Sequence, residues 1–184
     1  NSILSLYLSA FHFFVVTLSI QNIQNMHITT PIRTTETIEA LTRLWEASVR
    51  QSHHFLTEKD IQALKPYAKA GLESIENLFV SYEQNEATGF IGIEKDKIEM
   101  LFISPEYFGK GIGKLLLTMA CEKLGVRYVD VNEQNHKAEG FYRHLGFQTF
   151  ERTETDEQGN PFPILKMKRV PLPPPTYQIE RETK

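Results

Sequence analysis

Cysteine, early charge and any excess of basic residues are what this 184-residue sequence has least of. Its single cysteine, Cys121, makes neither an internal disulfide nor a cysteine-based zinc site. A secreted, disulfide-stapled module is thereby excluded, and a reducing compartment, the cytoplasm, fits. The 20 Lys and Arg against 23 Asp and Glu give a formal net charge of -3. With no cationic surplus to neutralise phosphates, no nucleic-acid partner is expected. No Asp, Glu, Lys or Arg precedes Arg33, and the run from Ile3 to Ile20 is largely apolar. A membrane helix needs about 20 apolar residues with interfacial anchors. This run is slightly shorter, carries His12 and several Ser and Thr, and has no flanking cations, so no membrane association is expected. A signal peptide would need a basic start and a small-residue cleavage site, and neither is evident. Residues 1–26 are therefore read as extra apolar sequence ahead of the domain, with Met26 the natural initiator. At the other end, Pro171, Pro173, Pro174 and Pro175 crowd a tail, 170–184, expected to be extended or disordered because proline fixes φ and donates no hydrogen bond. The working domain is 27–169, long enough to bury a core of its own.

Within it, helical and strand patterns mix. Ile38, Leu41, Leu44, Trp45 and Val49 fall at spacings of three and four, predicting an amphipathic helix over 34–53. A second helix is expected over 58–67 with Thr57 as N-cap. The stretches 78–82 and 87–93 read as a hairpin, and 98–103 as a third strand ended by Ser104-Pro105. Residues 111–124 predict a helix closed by Gly125, and 136–145 a short one closed by Gly146. Strands are expected over 128–132, 147–153 and 163–168. There is no internal repeat.

Three of the ten glycines, Gly109, Gly111 and Gly113, crowd the junction of a strand and a helix. Glycines let a backbone approach an anion closely, and the free N–H groups and dipole at a helix start favour negative charge. The segment Tyr107 to Lys114 is thus a candidate phosphate cradle. It is not a nucleoside-triphosphate loop: with Gly113-Lys114 in the Gly-Lys positions, the first glycine would fall on Phe108 and the hydroxyl on Leu115. The dinucleotide fingerprint fails as well, because its third glycine would be Lys114 or Leu116, although Asp130 lies about 20 residues on.

The strand Leu101-Phe102-Ile103, followed by Phe108-Gly109-Lys110-Gly111-Ile112-Gly113, resembles the hallmark of the GNAT superfamily of acetyl-CoA-dependent N-acetyltransferases, [RQ]-x-x-G-x-[GA] opening a helix after a strand. The resemblance spans nearly all of 28–169 and is nearest to small bacterial members of unassigned substrate. Phe108 stands where the family has Arg or Gln, and because the cradle is mostly backbone, weaker or altered binding is expected rather than its loss. A second block strengthens the likeness: Asn132-Glu133-Gln134-Asn135, then Ala138, Gly140-Phe141-Tyr142 and Leu145-Gly146-Phe147. The resemblance implies a mixed, mostly antiparallel α/β (α+β) sheet of about seven strands flanked by helices and splayed between the strands 98–103 and 128–132. It also implies acetyl-CoA as co-substrate, bound by Leu101, Phe102, Ile103, Phe108, Gly109, Lys110, Gly111, Ile112, Gly113 and Lys114, with Asn135 on the pantetheine arm. Tyr142 is then placed to protonate the departing thiolate, for which a phenol with a reference pKa near 10 is suited.

The acceptor must be a neutral amine, so something takes a proton from its ammonium form. Glu99, flanked by Ile98 and Met100, is the candidate base, since apolar burial there would raise its pKa. Alternation puts Lys97, Glu99 and Leu101 on one face unless a bulge intervenes. His54 and Phe55, in Ser52-His53-His54-Phe55-Leu56, and Phe162, in the segment 156–165, resemble the family's borders of the acceptor pocket, and a water relay or His54 is the other route for the proton. Adjacent His53 and His54 without an H-E-x-x-H motif give no metal site. The expectation is direct acetyl transfer to a primary amine of a small molecule or peptide; the alternative is a non-catalytic acyl-CoA sensor on the same fold. A homodimer is common in this fold.

Overall fold

A computed structural model describes residues 26–170, which fall into two compact units divided after Asp130. The expectations for the segments ahead of Met26 and beyond Val170 lie outside the described residues. Seven strands form one sheet in the order β1-β2-β3-β4-β5-β7-β6, the mixed, mostly antiparallel arrangement expected above.

The first unit opens with β1 (Met26–Thr29), a strand not anticipated from its short and weakly patterned sequence. Met26, assigned above to the leading segment, pairs with Glu83 inside it. Helix α1 (Thr35–Ser52) starts where the Thr34 hydroxyl accepts a hydrogen bond from the Thr37 N–H. Helix α2 (Glu58–Ser74) starts on a reciprocal cap between Thr57 and Asp60. It continues through Pro66 to Ser74, past the expected end at Tyr67. Proline there removes one intrahelical donor. Ala68 and Leu72 lie beyond it on the buried face, so packing carries the helix through.

Strands β2 (Asn77–Glu83) and β3 (Glu86–Glu94) join through Gln84 and Asn85, both at positive φ, as a two-residue hairpin requires. Leu78 and Val80 of β2, Phe90 of β3 and the buried faces of α1 and α2 form one apolar cluster, with Met100 and Phe102 packed against it. β4 (Lys97–Ile103) is antiparallel to β3, and β5 (Tyr128–Asn132) runs parallel to β4. Between them α3 (Ile112–Lys123) packs over β2, β3 and β4 through Ile112, Leu116, Leu117 and Ala120. Gly125, at φ 69°, ends that turn of chain as expected.

In the second unit, α4 (His136–His144) ends before Gly146, at φ 89°. The antiparallel pair β6 (Phe147–Thr153) and β7 (Ile164–Arg169) completes it. Tyr142, Phe147, Leu165 and Met167 are its buried side chains of greatest size. Among the described residues no helix is long and apolar enough to cross a membrane.

Candidate active site

Where β4 ends, Ser104 and Pro105 start a tight turn, Pro105–Tyr107, and the chain then passes through Gly109 at φ 76° and Gly111 at φ 85°. A side chain is strained at either position, and glycine is free of that cost. A β-carbon built on Gly109 or Gly111 would meet no atom within 4 Å, so the loop's surface faces open space. Gly111 is the N-cap of α3 and offers no side-chain acceptor to the helix. The first helical N–H to find a main-chain partner here is that of Leu115, bound to the Gly111 carbonyl at 3.0 Å. The preceding N–H groups of Ile112, Gly113 and Lys114 are the donors an α-helix cannot satisfy internally. Lys110 on the loop and Lys114 in the first turn of α3 are exposed. Open backbone donors, a helix start and two cations make a donor set that fits a diphosphate.

Phe108 and Leu115 flank this loop with 42% and 38% of their surfaces exposed. Leu101, Phe102 and Ile103 lead into it, and Ile103 packs against Gly89 of β3, where an added β-carbon would lie 2.6 Å from the Ile103 Cδ1 and 3.0 Å from the Phe102 carbonyl oxygen.

Glu99 differs from its expectation. Opposite it on β3, Ile93 pairs with Ile98 and Gly92 with Met100, leaving Glu99 as the extra residue of a β-bulge. The bulge interrupts the alternation that would have buried it. Its side chain is exposed, 3.3 Å from the Lys97 ammonium, which also meets Asp130 at 2.9 Å. The apolar burial invoked to raise its pKa is absent.

At the α1–α2 junction, His54 is exposed while His53 turns inward. The His53 ring lies 5.5 Å from that of Phe55 and 6.4 Å from that of Phe102, and its Nδ1 is 2.8 Å from the Ser52 hydroxyl. Burial, with a smaller contribution from His54, pushes the His53 pKa down to about 4, so the ring is neutral at physiological pH. The sequence did not single out His53 as the inward member of this pair. The only available signal was position: His53 ends a helix whose inward stripe contains Val49 and Trp45.

In the second unit, the Asn135 carboxamide is buried and accepts a hydrogen bond from the Ala138 N–H at 3.1 Å, capping the helix that carries Tyr142. The Tyr142 ring is buried at 6% exposure, edge-on to Phe141 at 5.1 Å and to Phe147 at 5.5 Å. Phe162, partly buried, sits in the β6–β7 connection, which Asp156 organises by accepting from the N–H groups of Gln158 and Asn160. Among the described residues, no group of three His, Cys, Asp or Glu side chains could hold a metal ion. A cavity of about 350 Å³ at the β1 edge, lined by His27, Tyr82 and Asn85 among others, contains none of the candidate site residues.

Residues 41–169 match a family model described as an acetyltransferase (GNAT) domain. The peptidyl-lysine N-acetyltransferase YjaB of Salmonella typhimurium is 33% identical over 129 residues, which make up 70% of this chain and 89% of that protein. YjaB of Escherichia coli K12 is 31% identical over 132 residues, 72% of this chain and 90% of that protein. The solution structure of the apo form of YjaB from Escherichia coli has a TM-score of 0.72 at 30% identity, covering 79% of this chain and 97% of that one. A PaiA N-acetyltransferase from Thermoplasma acidophilum, crystallised in complex with coenzyme A, shares the fold with a TM-score of 0.59 at 22% identity, covering 78% of this chain and 98% of that one.

Proposed function

The chain belongs to the GNAT family and is an acetyl-CoA-dependent N-acetyltransferase, and from that premise we propose that it acetylates the side-chain amine of lysine in a peptide or protein. The observation that carries this acceptor assignment is the likeness, at 33% identity over most of both chains, to a peptidyl-lysine N-acetyltransferase.

In this reading the diphosphate of acetyl-CoA rests on the backbone N–H groups of Gly109 to Lys114, with Lys110 and Lys114 supplying positive charge. When bound, acetyl-CoA supplies the thioester carbonyl that the amine attacks directly, with no acyl-enzyme. Leu101, Phe102 and Ile103 offer an apolar strand edge beside the loop, and Asn135 fixes the start of the helix that carries Tyr142. Tyr142 holds a phenolic proton on Oη and gives it to the departing thiolate; its packing against Phe141 and Phe147 fixes the direction of that oxygen. Glu99, exposed on the bulge, takes the ammonium proton of the acceptor, directly or through water. Phe55 and the neutral His53, beside Phe102, offer a surface for the aliphatic stem of lysine, with His54 at its rim. A cytoplasmic location, where acetyl-CoA and protein lysines are both available, is part of this proposal.

An acceptor panel with thiol detection tests the assignment. Thiol release with lysine-containing, N-terminally blocked peptides, and none with polyamines or free amino acids, is the expected result. Release with polyamines alone would remove the lysine assignment.

A further inference from the structure

Two glycines at positive φ with nothing packed above them leave the loop after β4 intrinsically soft, and something must hold it in the shape that presents its N–H groups. Its own main-chain hydrogen bonds are few: besides that of the Phe108 N–H to the Pro105 carbonyl at 3.2 Å, they involve Tyr107. The Tyr107 N–H reaches the Ser104 carbonyl at 2.9 Å, and the Lys110 N–H reaches the Tyr107 carbonyl at 3.3 Å. The Tyr107 side chain does more. Its hydroxyl donates to the Glu83 carboxylate at 2.8 Å, across 24 residues, and the Lys110 ammonium sits 4.4 Å above its ring centroid. Glu83 is a firm anchor, because it closes the β2–β3 hairpin opposite Glu86 and pairs with Met26 on its other side.

We infer that Tyr107 is a positioning residue for the acyl-carrier loop: anchored by Glu83, it fixes the turn before Gly109 and holds the Lys110 cation beside the backbone donors. The inference rests on the reading of 109–114 as the diphosphate site and adds how that site is kept in shape. One aromatic side chain serves both ends. Its hydroxyl ties the loop to the hairpin, and its face keeps an otherwise mobile lysine close to the backbone by a cation–π contact. The hydrogen bond to Glu83 also pushes the Tyr107 phenol above its ordinary pKa, so the donor stays protonated. A ligand that meets a pre-shaped loop loses less conformational entropy on binding. The side chain of the next residue, Phe108, supplies no hydrogen-bonding group. Tyr107 and Lys110 are then the side chains left to organise this stretch.

Calorimetry with coenzyme A and steady-state kinetics on Tyr107→Phe, Glu83→Ala and the double variant test this. Tyr107→Phe keeps the ring under Lys110 and loses only the anchor, so coenzyme A binding weakens and the acetyl-CoA KM rises by about three- to tenfold, while kcat at saturation stays within about twofold. Glu83→Ala gives the same change, and the double variant adds nothing further, because both remove one interaction. Wild-type binding by Tyr107→Phe, or full additivity in the double variant, would overturn the inference. Gly111→Val separates it from the reading beneath: if that variant loses coenzyme A binding while Tyr107→Phe binds normally, the cradle stands and the anchor is refuted. If Gly111→Val binds as wild type does, the cradle reading fails and the anchor falls with it.

Discussion

Ile98 and Val129 are the last residues that β4 and β5 pair in parallel register, and β4 then runs on to Ile103. That early end of pairing is the splay expected between these strands. It leaves Leu101 to Ile103 leading from the sheet into the glycine loop, and the bulge at Glu99 comes directly after it along β4. A parallel ladder that stopped at Ile103 instead would have left the loop's approach strand fully paired on both edges.

Gly111 is one of the loop's two positions that favour glycine by their backbone. At φ 85° a β-branched residue is forced from its preferred conformations at a cost of about 1–2 kcal/mol. Gly111→Val is expected to weaken coenzyme A binding by about tenfold or more, the equivalent of one lost hydrogen bond to a charged group. Isothermal calorimetry reads this directly, and unchanged affinity would detach the loop from the cofactor.

Gly89 tests whether the strand end itself matters. A methyl group there would press on both the Ile103 side chain and the Phe102 carbonyl. Gly89→Ala is expected to lower stability by about 1–3 kcal/mol and to weaken coenzyme A binding by shifting the end of β4. Denaturant unfolding and calorimetry on the same sample check both effects.

Tyr142→Phe keeps the ring that packs on Phe141 and Phe147 and removes only the hydroxyl. Its thermal midpoint should stay near that of the wild type, while kcat with a lysine peptide falls by about 100- to 10,000-fold, the usual range for a lost general acid. The acetyl-CoA KM should change little. Unchanged turnover would take Tyr142 out of the mechanism.

His53 makes stability depend on pH. Its folded pKa, about 4, lies below the ordinary value of 6.5, so between those limits the unfolded chain binds the extra proton. The contribution is fully present above pH 6.5 and is lost as pH falls toward 4, on the order of 2–3 kcal/mol in all. Carboxylates held below their usual range, such as Glu46 beside Lys65 and Arg50, add a separate loss at lower pH. Unfolding of His53→Asn measured beside the wild type over pH 4 to 7 isolates the histidine: the variant should have the flatter profile, and parallel profiles would contradict the assigned burial.

Much of this arrangement was legible in the sequence because it is local. Helix α1 follows from its apolar spacing, the β2–β3 hairpin from its polar turn, and the cradle from glycines between a strand and a helix. Three features were not legible, for a shared reason. The β1 strand is four residues long and held only by its neighbour. The bulge at Glu99 exists only in the pairing of β4 with β3, and it reversed the expected burial of that carboxylate. The inward packing of His53 depends on Phe102, 49 residues away in the chain. Each is set by contacts distant in sequence, which periodicity does not carry. The same holds for the hydrogen bond from Tyr107 to Glu83.

The most direct test of lysine acetylation by this enzyme is fragment mass spectrometry of a peptide with one internal lysine and a free N-terminus, after incubation with acetyl-CoA. One acetyl group is expected on the lysine Nζ, formed in step with free coenzyme A and absent with Tyr142→Phe. An acetyl group found only on the N-terminal amine, or none formed although acetyl-CoA binds, would contradict it.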